Sequence, residues 1–550
     1  MKIELIQLNY TIGDFEGNSA KIICGINEAK ARGVDLAVFS ELAVTGYYPN
    51  DLLEKKEFIE KAEVTIKKIA ESCHGIAAIV GCPRINANER GKKLFNSAFF
   101  LAEKKIQTII NKTLLPTYDI FDEYRHFEPN TEFRIIEYKG ERIAITICED
   151  LWDEQPTANE FAKDKMYAIS PLEELAKLNP DFIINISASP FSYNQETWRQ
   201  DILITKSRKY KLPIFYCNQI GAHAELIFDG GSLFINSDGE IIKELKYFEE
   251  DALIIDTKAT EKKALQPEFD YIEKIHDALV LGIRDYFAKT GFKKAVLGLS
   301  GGIDSAVTVV LAVKALGKEN VRVLLLPSKY SSQHSVDDAR ILAENLGIEY
   351  EIVNIRHTVD AFEKGLSPLF EGTTPDVTEE NIQARARGTL LMAISNKFGH
   401  ILLNTTNKSE CAVGYGTLYG DLNGGIAVLG DVYKMDVYKL SRFMNKDKKV
   451  IPEHTIVKPP SAELRPDQKD TDSLPDYKDL DRMLFNYIEL NKSPQEIVDL
   501  GFEKATVNRV IRMVNCNEYK RFQTAPILRV SSKAFGFGRK MPLVARYTTL

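Results

Sequence analysis

The stretch Gly298-Leu299-Ser300-Gly301-Gly302-Ile303-Asp304-Ser305 lies between an apolar run at 295–299 and a helical pattern at 305–316. Strand, glycine turn and helix in that order bring backbone N–H groups and a helix N-terminus together at one point, a geometry that receives an anion. Gly301 and Gly302 let the main chain approach a phosphate where a Cβ would collide, and Ser300 and Ser305 add hydroxyl donors. Asp304 does not belong in a plain phosphate cradle. Either it complements the dipole of an ordinary strand-to-helix turn, or a divalent cation stands between it and the phosphates. The loop has no Gly-Lys-[Ser/Thr], which excludes a Walker loop.

Around this loop the apolar runs 321–326, 349–354 and 400–403 alternate with helical patterns at about 335–346 and 380–397. Contiguous apolar strands separated by helices predict a doubly wound parallel sheet, with ligands collecting at the carboxyl ends of its strands. Arg385 and Arg387 stand at i, i+2 on the second helix and cannot share a face, so at least one is a surface charge. The chain has 550 residues, and single cores seldom grow past about 250–300, so more than one domain is expected. Apolar alternation lapses between Asp256 and Asp270, which puts the boundary near 260, with one domain at 1–260 and the other at 261–550. The net charge of −7 disfavours non-specific nucleic-acid binding. No apolar run reaches the roughly 20 residues of a membrane span. Residues 1–8 alternate like a strand rather than a signal peptide. Seven cysteines without a Cys-x-x-Cys pair argue against a disulfide framework or zinc site and for a cytoplasmic protein.

In the first half, runs at 2–8, 35–39, 77–81, 96–101, 142–147 and 182–187 read as strands, with helices near 17–31, 52–72 and 171–178. Three strand ends carry reactive groups: Glu41, Lys112 and Cys148. Taken singly, a cysteine closing an apolar strand is a small core residue, and a lone Glu or Lys is an edge charge. Taken together they suit a thiol attacking an amide. Glu41 can take the thiol proton and return it to departing ammonia, and Lys112 can stabilise the tetrahedral oxyanion. A nearby cation is also expected to lower the thiol pKa of Cys148.

Glu, Lys and Cys in this order resemble the nitrilase (carbon–nitrogen hydrolase) superfamily, which implies an αββα sandwich. The strings from Lys112 to Phe127 and Cys148-Glu-Asp-Leu-Trp152 resemble its glutaminase branch. That resemblance implies glutamine binding by Tyr118 and Ser189, and puts Gln195 where a Lys or Arg is expected to help hold the substrate. The segment between Trp152 and Pro180 is longer than the resemblance implies. Ser-Gly-Gly-x-Asp-Ser is similar to the pyrophosphate loop of the ATP pyrophosphatases, implying a Rossmann-like domain of the adenine nucleotide hydrolase type. The strings Asn404–Glu410, Gly414–Asp421, Asp431–Lys434 and Lys458–Leu464 resemble NAD synthetases.

This second resemblance implies ATP contacts from the loop 298–305 and from Thr405, Lys434 and Ser461. It further implies deamido-NAD contacts from Asn381, Glu410 and Lys520, and magnesium held by Asp304 and Glu410. The implied reaction is ATP-dependent amidation of deamido-NAD with ammonia from glutamine. An ammonia tunnel and an oligomer built on synthetase-domain dimers are also implied. Strings near Asn517 and Phe535 match the same family, although on its own the tail reads as a basic, solvated terminus. The alternatives are a GMP- or asparagine-synthetase type of amidotransferase, an RNA-thiolating enzyme and a nucleotide-binding regulatory protein. The strings around Glu410 and Ser461 oppose the first. The acidic charge and missing Cys-x-x-Cys oppose the second, and the intact set Glu41, Lys112, Cys148, Asp304 and Glu410 opposes the third.

Overall fold

In the central strands of the first half, successive side chains point to opposite faces, and here both faces are buried. In Glu141–Ile147, Ile143, Ile145 and Ile147 point into one core while Ala144 points into another. In Phe182–Ile186 the same split separates Phe182, Ile184 and Ile186 from Ile183. The structure, a computed structural model, describes residues 1–154, 166–193, 195–258 and 270–545, with only the backbone at 195 and 196. The chain divides into two compact units, Met1–His223 with Ile227–Glu268 and Ala224–Leu226 with Phe269–Leu550. The boundary expected near 260 falls within 259–269, outside the described residues.

The first unit contains two six-stranded sheets. One runs Asp251–Asp256, Lys2–Gln7, Leu36–Val38, Ala77–Ile85, Leu94–Ala102 and Lys105–Asn111. The other runs Ile241–Glu244, Leu233–Ile235, Ile214–Cys217, Phe182–Ile186, Glu141–Ile147 and Ile136–Tyr138. Their inner faces meet through Ile3, Val38, Ile79 and Phe100 on one side and Ile145, Ile184 and Phe215 on the other. Helices Phe15–Ala31 and Lys56–Glu71 cover the outside of the first sheet through Ile22, Ile26, Ile66 and Ile69. Pro171–Ala176 and Gln195–Tyr210 cover the second through Leu172, Leu175 and Leu203. This is the αββα layering that the resemblance implied.

Inside this unit Arg199, on Gln195–Tyr210, forks onto Asp229 at the end of Leu226–Asp229. Nη1 donates to Oδ1 at 3.0 Å and Nη2 to Oδ2 at 2.9 Å, with both side chains buried. Burial disfavours the charge on Arg199, and the Asp229 carboxylate more than restores it.

In the second unit the strand order is Glu349–Ile352, Val321–Leu325, Ala295–Gly298, Ile401–Asn404 and Ile426–Ala427. Every neighbouring pair is parallel, as the contiguous apolar runs predicted. The chain crosses from one side of Ala295–Gly298 to the other, so the loop that follows this strand lies at the topological switch point. Helices Tyr271–Thr290, Ile303–Leu316 and Lys434–Met444 pack on one another. Arg356–Leu366 and Val377–Phe398 bury Val359, Ile382 and Ala386 against Val296, Leu324 and Leu402.

Helices Tyr477–Ile488, Pro494–Asp499 and Lys504–Cys516 build a further core with Ala412 and Phe535. The C-terminal stretch is therefore not a solvated basic tail. Arg521 is buried, donates from Nη1 to the carbonyls of Cys411 and Ala412, and donates from Nη2 to Glu518 Oε2 at 2.7 Å. Its cationic neighbour Arg539 also donates to Glu518, at 2.9 Å. The carbonyls that hold Arg521 are distant in sequence, which composition cannot reveal. Among the described residues no helix is long and apolar enough to cross a membrane.

The Arg199–Asp229 pair generates a stability prediction. Arg199→Met strands a buried carboxylate and is expected to cost about 3–5 kcal/mol. The loss would be read as a lower denaturant midpoint for the first unit, and Arg199→Met with Asp229→Leu should recover most of it.

Candidate active sites

Glu41 follows Leu36–Val38 in a tight turn that packs on the strand Ala77–Ile85. A Cβ at Gly81 would lie 2.3 Å from the Leu42 nitrogen, so only glycine allows this approach. Lys112 follows Lys105–Asn111, and Cys148 opens the single 3₁₀ turn Cys148–Leu151 with φ of +43°. Asp150 ties the last two together. Its Oδ2 accepts from Ile147 N at 3.0 Å, and its Oδ1 accepts from Thr113 N and Leu114 N at 2.9 Å each.

Lys112 Nζ donates to Glu41 Oε1 and to Glu123 Oε1, both at 2.8 Å, with all three side chains buried. Asn96 Nδ2 donates to Glu41 Oε1 at 2.7 Å, and Ala188 N donates to Glu41 Oε2 at 3.0 Å. Tyr47 Oη donates to Glu123 Oε1 at 2.7 Å. Two carboxylates share one ammonium, leaving one negative charge in excess. Burial pushes Glu123 up to about 7 against the pull of Lys112. Burial also works against the charge on Lys112, but Glu123 and Glu41 win and hold it well above the usual lysine range.

The thiol of Cys148 departs from expectation. Burial, reinforced by Glu41, pushes it well above its usual value, and Lys112 opposes this without prevailing. Cys148 therefore rests as a neutral thiol, and attack requires a base to take its proton. Tyr118 Oη donates to Glu149 Oε1 at 2.9 Å, and Tyr167 Oη donates to the same oxygen at 2.9 Å. Burial pushes Glu149 up to about 7. Ser189 is buried, its N–H donating to Asn218 Oδ1 at 2.9 Å. The side chain of Gln195, and residues 155–165 of the longer segment, lie outside the described residues.

In the second unit a cavity of about 320 Å³ opens at the carboxyl ends of the strands. Gly298, Leu299, Ser300, Gly302, Ile303, Asp304 and Ser305 line it, with Thr405, Glu410, Lys434 and Ser461. Gly301 does not line it. At φ +81°, a Cβ there would meet Ser335 O at 2.2 Å, so this glycine lets the loop seat against its neighbour. The two serine hydroxyls lie 3.1 Å apart, and Gly302 N donates to Ser300 Oγ at 3.2 Å, so both also hold the turn. Lys434 Nζ donates to Asp304 Oδ2 at 2.6 Å and to Glu410 Oε1 at 3.2 Å. Asn407 clamps the same pair, donating from Nδ2 to Asp304 Oδ1 at 2.8 Å and accepting at Oδ1 from Glu410 N at 3.0 Å. Burial pushes Glu410 up to about 8; Lys434 opposes this, while Asp304 and Asp470 add to it. Of the two helix arginines, Arg387 lines the cavity and Arg385 is exposed.

The carbon-nitrogen hydrolase family model matches residues 2–261 and the NAD synthase model matches residues 275–524. A glutamine-dependent NAD(+) synthetase of Synechocystis sp. is 44% identical, over 99% of this chain and 99% of its own. The chain belongs to the glutamine-dependent NAD(+) synthetase family. A second member, from Thermotoga maritima, is 39% identical over 100% of this chain and 99% of its own. Among solved structures, that of the Acinetobacter baumannii family member in complex with ADP matches with a TM-score of 0.78. It is 37% identical, covering 100% of this chain and 99% of that one. Membership in this family leaves the GMP- or asparagine-synthetase alternative unsupported.

Not every expected residue reaches the cavity. Asn381 accepts from Thr417 Oγ1 at 2.7 Å. Lys520 Nζ donates to the carbonyls of Gly414 and Gly416 at 2.8 and 2.9 Å. Both brace the loop 414–421, whose Tyr415, Gly420 and Asp421 do line the cavity. Ser461 is exposed, its hydroxyl bonded to Gln468 O at 2.5 Å. Four participants were missed in the sequence: Glu123, Asp150, Asn407 and Asp470. Glu123 had no distinguishing signal, since Asp119 and Asp122 stand in the same string from Leu114 to Phe127. Asn407 had one, as an N-cap three residues before Glu410.

Replacing Glu123 by Gln keeps the shape but removes one of the two carboxylates that fix Lys112. Misplacing a catalytic group in this way costs about a hundredfold. Glutamine hydrolysis by Glu123→Gln should fall by about that factor with ammonia-supported synthesis unchanged. Unchanged hydrolysis would separate Glu123 from the site.

Proposed function

We propose that the chain amidates deamido-NAD to NAD, consuming ATP and glutamine and yielding AMP, pyrophosphate and glutamate. The full-length match to family members at 44% and 39% identity supports this reading most strongly. In the first unit, Cys148 Sγ attacks the side-chain amide carbon of glutamine while Glu41 takes its proton. Lys112 steadies the oxyanion, Glu41 returns the proton to the leaving nitrogen, and ammonia departs from a glutamyl thioester. Water then cleaves the thioester to glutamate, releasing the thiol. Tyr118, Ser189 and Gln195 are assigned to the glutamine. The neutral resting thiol suits this order, because proton removal and attack then occur only with substrate present.

In the second unit, an oxygen of the nicotinate carboxylate of deamido-NAD attacks the α-phosphorus of ATP. The bond to pyrophosphate breaks, and ammonia displaces AMP from the acyl carbon to leave the amide. The loop 298–305, Thr405, Lys434 and Ser461 are assigned to ATP, and Asn381, Glu410 and Lys520 to deamido-NAD. Asp304 and Glu410 are assigned to magnesium. The donor set fits a hard cation: Asp304, Glu410 and Asp470 are all carboxylates that line one cavity with Lys434. Burial raises Glu410, and the carboxylates of Asp304 and Asp470 add to the rise. Magnesium bound to those oxygens would neutralise phosphate charge as pyrophosphate leaves. Lys434 can transfer its ammonium from the carboxylates to phosphate oxygens, since lysine is a movable point charge.

Linking both units in one chain suits the chemistry of the shared intermediate. Ammonia released into neutral water is mostly protonated and cannot attack an acyl adenylate. We place the reaction in the cytoplasm and assign the working form to an oligomer built on synthetase-domain dimers. Cys148→Ala should remove at least about a thousandfold of glutamine-supported NAD synthesis and leave ammonia-supported synthesis intact. Equal loss of both would contradict the two-site scheme.

A further inference from the structure

A second ligand-binding constellation lies on the first unit, on the turn that carries Glu123. Asp51 and Glu54 are three residues apart on the 3₁₀ helix Asn50–Glu54. A 3₁₀ helix has three residues per turn, so side chains at i and i+3 eclipse and both carboxylates point the same way. His126, at the end of the 3₁₀ turn Glu123–Arg125, faces them. Its Nε2 lies 3.5 Å from Asp51 Oδ1 and 3.7 Å from Glu54 Oε1. One donor atom from each of the three lies within 4.8 Å of the others.

The histidine distinguishes this set from an ordinary acidic patch. His126 is only 8% exposed, yet its Nε2 has no hydrogen-bond partner. The other ring nitrogen is committed, with Nδ1 2.7 Å from Tyr48 Oη. If Nδ1 carries the proton and donates it to Tyr48 Oη, the tyrosine proton is free to go to Asp122 O, 3.4 Å away. That arrangement leaves an Nε2 lone pair aimed at two carboxylates, and a hydrogen bond at the other nitrogen is how a metal-binding imidazole is usually oriented.

We propose that His126 Nε2, Asp51 and Glu54 bind a divalent transition ion of the zinc type. The separations support this size of ion. Bonds of about 2.0–2.2 Å in tetrahedral array place ligand atoms about 3.3–3.6 Å apart, close to the 3.5 and 3.7 Å found at Nε2. An imidazole nitrogen in the set selects zinc, cobalt or nickel over magnesium or calcium. The set uses no cysteine, which is why cysteine spacing argued against a zinc site.

One cation already competes for the carboxylates. Arg125 Nη2 lies 2.9 Å from Asp51 Oδ1 and 3.8 Å from Glu54 Oε1. Its side chain is about half exposed, so it can swing into water when an ion enters. Occupancy would tie Glu123–Arg125 to Asn50–Glu54 and so brace the turn that holds Glu123 on Lys112.

The test is titration of EDTA-treated full-length protein with Co²⁺ alone, followed by calorimetry and visible absorption. Asp51→Asn with Glu54→Gln, two exposed positions that leave His126 in place, should lose one equivalent of Co²⁺ or weaken it about tenfold or more. Sites elsewhere, including the carboxylates around Lys434, are unchanged in that variant and cancel in the comparison. Arg125→Gln should tighten the same equivalent. Identical binding by wild type and the double variant would overturn the proposal. So would a thiolate-to-cobalt band for the equivalent that the double variant loses, or weaker binding in Arg125→Gln.

Discussion

A buried lysine ammonium held between two carboxylates is the interaction on which each site depends. Lys112 lies between Glu41 and Glu123, and Lys434 between Asp304 and Glu410. A third instance, Lys408 between Asp431 and Glu489, ties the helix Lys408–Val413 to the C-terminal stretch through Ser531 Oγ at 2.7 Å. Each ammonium costs several kcal/mol to desolvate, and only paired opposite charge with good hydrogen bonds offsets that. Burial, with the neighbouring carboxylate adding to it, raises Glu123 and Glu410 to about 7 and about 8. In the first unit burial, reinforced by Glu41, also keeps Cys148 neutral.

The two folds display their reactive groups by a common rule. Apolar strands buried on both faces leave only their ends for polar chemistry, and the catalytic candidates all follow strands. Glu41 comes after Leu36–Val38, Lys112 after Lys105–Asn111, Cys148 after Glu141–Ile147 and Asp304 after Ala295–Gly298. Asp150 fixes these ends by accepting backbone N–H groups on two of them, and Asn407 by accepting the Glu410 N–H while donating to Asp304. Rigid strands with hydrogen-bonded ends give the positional control that catalysis requires.

Much of this was legible in the sequence because it rests on local patterns. Strand and helix periodicity indicated an α/β first unit and the parallel sheet of the second, and the family resemblance implied the αββα layers of the first. The glycine loop at 298–305 was placed at the carboxyl end of a strand, and Arg385 and Arg387 divided between surface and cavity as their spacing required. What was not legible depends on partners distant in sequence. The direction of the Cys148 shift needed the burial of the site and the Glu41 charge beside it, which outweigh Lys112. The burial of Arg521 needed the carbonyls of Cys411 and Ala412. Glu123 looked like one acid among several until the fold put it on Lys112. Asn381 and Lys520, assigned by resemblance to a ligand, brace the neighbouring loop in this structure.

The central claim is that the nitrogen freed at Cys148 becomes the amide of NAD at the cavity under Lys434. The direct measurement supplies deamido-NAD, ATP, magnesium and glutamine labelled with ¹⁵N at its side-chain amide, in the presence of unlabelled ammonium. Mass spectrometry of the NAD formed then reads the source of its amide. The account predicts ¹⁵N-labelled NAD with one AMP and one pyrophosphate per NAD. Products of ADP and phosphate, or NAD carrying only unlabelled nitrogen, would contradict it.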